Sequence, residues 1–86
     1  MPRFLSQHTL ACLTRQGAEE LCTRLQRSAS PAARRVVVNL HEGKMIVEFD
    51  AASRGELEKW LGGERFHFDW ILRVEYEAEA GGLRPL

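Results

Sequence analysis

Residues 35–56 read RVVVNLHEGKMIVEFDAASRGE, and this stretch decides the fold. Val36, Val38 and Leu40 alternate with Arg35, Val37, Asn39 and His41, the period-two pattern of a strand rich in β-branched residues. Met45, Val47 and Phe49 alternate in the same way with Lys44, Ile46 and Glu48. Between the two runs, Glu42-Gly43 offers a two-residue turn in which Gly43 supplies positive φ. The spacing predicts an antiparallel hairpin with strands over Arg35–Glu42 and Lys44–Asp50. Directly after it, Ser53-Arg54-Gly55-Glu56 matches a capping box, where hydroxyl and carboxylate satisfy each other's free backbone N–H groups. Leu57, Trp60 and Leu61 then carry the apolar stripe of a helix, which Gly62-Gly63 is expected to stop.

Outward from this block, Arg3–Leu10 reads as a first strand. Phe4, Ser6, His8 and Leu10 point one way, and Leu5, Gln7 and Thr9 the other. Neither set is cleanly apolar, so alternation leaves the inward face of this strand open. Thr14 is the expected N-cap of a first helix with Glu19 and Glu20 in its early turns, and Ala18, Leu21, Cys22 and Leu25 form its buried stripe. Arg24 and Arg27 near its end suit the helix dipole. Ser28–Ala33, holding Pro31, is a loop. On the other side, Glu64–Asp69 is a loop with Phe66, His67 and Phe68, and Trp70–Ala78 is a last strand.

The order strand, helix, strand, strand, helix, strand is the split βαβ pattern of a ferredoxin-like α+β sandwich. It implies a four-stranded antiparallel sheet in the order 4-1-3-2 with two helices on one face. Residues 1–80 make one domain and residues 81–86 a C-terminal tail.

Composition narrows the functional classes. The 86 residues hold 12 basic and 12 acidic side chains, which removes the basic excess typical of nucleic-acid binders. Hydrophobic residues at 44% are those of a globular chain, not a disordered one. No apolar run nears the roughly 20 residues of a membrane span. Met1-Pro2-Arg3-Phe4 leads straight into a strand, with no signal-peptide core. The expected compartment is the cytoplasm, with neither nucleic acid nor membrane as a partner. Cys12 and Cys22 form no CxxC pair; Cys22 falls on the helix's apolar face as a small hydrophobe, and Cys12 at a strand-to-helix junction.

The helix-covered face of the sheet is expected to hold Val36, Val38, Leu40, Met45, Val47, Phe49, Leu72, Val74 and Tyr76. The opposite face then carries Val37, Asn39, His41, Ile46, Glu48, Ile71, Arg73 and Glu75. A face left in water would be more polar. A second copy packed sheet on sheet is the expected cover, making a homodimer with a cavity for a small organic ligand. Asn39, His41, Glu48 and Arg73 are its expected ligand-binding residues. His8 is the candidate catalytic residue, because a histidine beside Asn, Glu and Arg in a half-buried cavity supports proton transfer. His67, between two phenylalanines, is expected to be the exposed member of its loop. No HxH, HxxxH or HExxH spacing, P-loop, GxSxG or dinucleotide fingerprint is present, so no metal ligands and no cofactor are assigned. Glu75, Glu77 and Glu79 place three carboxylates on one side of the last strand, a charge pattern that protects a sheet edge.

The stretch Gly43-Lys44-Met45-Ile46-Val47-Glu48-Phe49-Asp50-Ala51 before a capped helix, and the opening Phe4-Leu5-Ser6-Gln7-His8, resemble the dimeric α+β barrel superfamily, nearest its small nickel-binding members. That superfamily also includes muconolactone-isomerase-like enzymes and small monooxygenases of the antibiotic-biosynthesis type. The resemblance implies a homodimer closed through the open sheet face. It leaves three functions: a ligand-binding or accessory module, a cofactor-independent monooxygenase or isomerase acting on a small aromatic or polyketide-like substrate, and a nickel-binding protein.

Overall fold

The computed structural model describes residues 1–11 and 13–86, so Cys12 at the first strand-to-helix junction lies outside the described residues. The elements are β1 (Arg3–Thr9), α1 (Arg15–Gln26), β2 (Ala32–Asn39), β3 (Lys44–Asp50), α2 (Arg54–Gly63), β4 (Trp70–Val74), β5 (Tyr76–Glu79) and β6 (Gly82–Pro85). The first four strands form one antiparallel sheet in the order β2-β3-β1-β4, the 4-1-3-2 order read from the other edge. Leu25 of α1 and Leu57 and Leu61 of α2 are buried in one cluster with Phe4, Val47 and Phe49, so both helices cover the same face. The chain is a ferredoxin-like α+β sandwich.

Register settles the strand that alternation left open. Phe4, Ser6 and His8 stand opposite Phe49, Val47 and Met45, and all six are buried. Leu5 and Gln7 stand opposite Glu48 and Ile46 on the uncovered face. β2 follows the expected parity, with Val36 and Val38 opposite Val47 and Met45, and Val37 and Asn39 opposite Ile46 and Lys44. At this edge the helices give out: Val38 is 38% exposed and Leu40 40%.

The last strand is inverted relative to expectation. Leu72 pairs with Leu5, Trp70 with Gln7 and Val74 with Arg3, which puts all three on the uncovered face. Ile71 pairs with Ser6 and is buried, and Arg73 pairs with Phe4 on the helix side. The entry to the strand fixes this parity, because the Asp69 amide donates to the Gln7 carbonyl at 2.7 Å. The strand also ends early, at Val74. Residues 81–86, read as a tail, include β6, which pairs back on β5 through a tight turn with Ala80 and Gly81 both at positive φ. Arg84 bridges Glu77 and Glu79 at 3.0 and 3.3 Å, so two of the three aligned carboxylates have a cation within this hairpin. Tyr76, expected in the core, is 54% exposed there.

Both helix starts follow their caps. The Thr14 hydroxyl accepts from the Gly17 amide and the Ser53 hydroxyl from the Glu56 amide, each at 3.1 Å. The stop of α2 differs from expectation. Gly62 and Gly63 lie inside the helix, and the Phe66 amide donates to Leu61 and the Arg65 amide to Gly62. This is a Schellman motif with Arg65, at φ 56°, in the left-handed position that glycine usually takes. The hairpin turn is wider than two residues, running Leu40–Gly43; Asn39 caps it by accepting from the Glu42 amide at 2.9 Å. Gly43 does take positive φ, 66°, and a Cβ there would stand 2.9 Å from the Leu10 carbonyl.

Candidate functional site

The uncovered sheet face is built from alternate residues of four strands. Its middle is apolar: Leu5 of β1, Val37 of β2, Ile46 of β3 and Leu72 of β4. Trp70 and Val74 extend it along β4. Val37 is 42% exposed, Trp70 39% and Leu72 54%. Between Leu5, Val37 and Ile46 lies a small depression of about 130 Å3, walled by Arg35 and Glu48.

Charged groups close both ends of this apolar middle. At one end Arg3 Nε lies 3.3 Å from Glu48 and 3.6 Å from Asp50, close enough for charge attraction but not aligned as a hydrogen bond. Arg34 donates to Asp50 at 2.7 Å. At the other end Thr9 and Gln7 donate to Asp69 at 2.8 and 3.3 Å, and Lys44 donates to Thr9 at 2.8 Å. The Thr9 hydroxyl, then the Gln7 amide and the nearby Lys44 ammonium, hold the Asp69 carboxyl below its usual range.

His8 lies on the other side of the sheet, fully buried against the loop that follows α2. Its Nδ1 is 2.7 Å from the His67 carbonyl, which can only accept, so Nδ1 carries the proton. Its Nε2 therefore accepts from the Ser6 hydroxyl, also at 2.7 Å. Phe66 stacks on the ring, with centroids 4.0 Å apart and planes 10° apart. Burial lowers the His8 pKa; the His67 carbonyl and the Asp69 charge offset this in part. Hydroxyl, imidazole and carbonyl have the order of a nucleophile, base and orienter. Both side chains are sealed from solvent, and neither ring nitrogen is free for a substrate.

The predicted site residues do not converge. Glu48 lines the open-face depression. Asn39 is on the same face but is spent on the turn, its Nδ2 donating to the Glu42 carboxylate at 2.7 Å. His41 is exposed in that turn, beyond the strand. Arg73 points to the helix side and His8 to the interior of that side. Among the described residues no three His, Cys, Asp or Glu side chains gather as a metal-holding group. Among them, too, no helix is long and apolar enough to cross a membrane. The residues that sequence reasoning missed are Trp70, Leu72 and Val74 on the open face and Ser6, Phe66 and Asp69 around His8. For the first three the signal was present, an apolar alternation, and only its direction was misread.

No family model, no curated protein and no solved structure matches the chain.

Proposed function

We propose that this chain is a homodimeric binding or accessory module of the dimeric α+β barrel type, closed through the open sheet face around a small organic ligand. One observation carries the reading: an apolar middle crossing all four strands and closed by charged groups at both ends. This is the anatomy of an interface, a core that loses water inside a rim that keeps it. A two-fold axis through Leu5 and Ile46 would set each apolar middle on its copy, since an isologous contact needs only a self-complementary patch. Two depressions of the kind walled by Arg35 and Glu48 would then face each other as one enclosed, mostly apolar pocket with a charged wall. The monooxygenase or isomerase reading asked for His8 inside that pocket. With His8 across the sheet, binding needs fewer assumptions than catalysis.

Native mass spectrometry of the wild-type protein and Leu72→Lys tests the reading. The wild type is expected at twice the 9.8 kDa chain mass, and the variant as a folded monomer by circular dichroism. A wild type that stays monomeric at 100 µM overturns the proposal.

A further inference from the structure

We propose a second site, on the helix side of the sheet, that binds a small organic anion with an apolar body. The site is a groove of about 580 Å3 between α1 and the loop joining α2 to β4. Its apolar lining comes from Leu10, Leu21 and Phe66, and its basic lining from Arg24, Arg27 and Arg65.

Three features favour an anion. Among the described residues, none of these three arginines forms an ion pair; Arg35 and Arg73, away from the groove, form none either, and the other five arginines do. Glu20 also lines the groove and stands four residues before Arg24, a spacing that often pairs; it forms no bridge either. The lining thus keeps an excess of two positive charges over one carboxylate. Finally, Arg65 holds the left-handed helix-end position where glycine would be unstrained. Disfavoured backbone of this kind clusters at ligand clamps. Guanidinium groups take carboxylate or phosphate in paired hydrogen bonds, and the leucines and Phe66 accept a short acyl or aromatic body.

The test is a 1H–15N NMR titration of the full chain with octanoate, octyl phosphate and 1-octanol. Saturable shifts are expected at the Leu10, Leu21 and Phe66 amides with both anions, about tenfold tighter than with 1-octanol. The tighter of the two anions identifies the head group. Arg24→Gln and Arg65→Gly are each expected to weaken octanoate by about two- to fivefold. Arg65→Gly keeps the left-handed turn, so it removes charge without disturbing the fold. Equal affinity for octanol, unchanged affinity in both variants, or shifts confined to Leu5 and Ile46 on the open face would each overturn the proposal. Such open-face shifts would leave the dimer reading standing, so the two failures are separable.

Discussion

The two faces of β1 solve opposite problems with the wrong-looking residues. Its inner face buries a serine and a histidine, and its outer face leaves a half-buried leucine within a wider apolar patch. The inner face succeeds because each polar atom has a partner: Ser6 donates to Nε2, and Nδ1 donates to the His67 carbonyl. Burial costs little when hydrogen bonding is complete. The outer face has no such closure within one chain. Leu5, Val37, Ile46 and Leu72 keep apolar surface on the uncovered side of the single chain, and the proposed dimer would cover it.

Removing a large inner side chain should show the contrast most strongly. Phe49 is fully buried and meets Trp60 edge-on at 5.8 Å. Phe49→Ala is expected to cost about 3–5 kcal/mol in urea denaturation, the range for emptied aromatic core sites. Leu72→Lys on the outer face should stay within about 0.5 kcal/mol of wild type, as surface changes do, when both are measured at a dilution that keeps them monomeric. A comparable loss at Leu72 would break the distinction between the faces.

His8 sharpens the comparison through pH. Its folded pKa is depressed by burial, so the unfolded chain binds the extra proton first. Stability from the neutral ring is complete above the unfolded value of about 6.5. It is lost as pH falls from there through the depressed folded value. The thermal midpoint should therefore drop between pH 7 and pH 5, and His8→Gln should flatten that slope. Asp69, also depressed, acts in a separate and more acid window. An unchanged slope in His8→Gln would mean that the ring is not held neutral.

Much of the inner face was legible in the sequence. Met45, Val47 and Phe49 alternate without interruption, and Thr14 and Ser53 cap as their neighbours require. The outer face and the candidate site were not, for physical reasons. Ser6 and His8 look unsuited to a core because their partner, the His67 carbonyl, lies 59 residues from His8. Trp70, Leu72 and Val74 look like core because alternation reports a face and not its direction. A direction set by one backbone bond, from Asp69 to Gln7, leaves no trace in hydropathy. Asn39 and Arg73 have the chemistry of ligand contacts, but turn closure claims the first and strand parity turns the second away.

Coverage of the outer face should also appear as mass action. A dimer is stabilised against unfolding as protein concentration rises. The wild-type thermal midpoint is expected to climb from 5 to 500 µM, while that of Leu72→Lys stays level. A level wild type would leave Leu5, Val37 and Ile46 uncovered, and the contrast between the faces would then need a different partner.

An effect of opposite sign is expected where the inner face is closed. Phe66 reaches the His8 ring only because α2 ends in a left-handed turn at Arg65. For a residue with a Cβ that turn is disfavoured, whereas glycine adopts it freely. Glycine also gains entropy in the unfolded chain, which works against it. At φ 56° the relief of strain is the larger quantity, so Arg65→Gly should stabilise the fold by about 0.5–1 kcal/mol in urea denaturation. A gain in stability with a loss of octanoate affinity would mark Arg65 as a residue kept for the groove at the fold's expense. A loss of stability instead would place the arginine's own contacts above its backbone strain and assign it to the closure over His8.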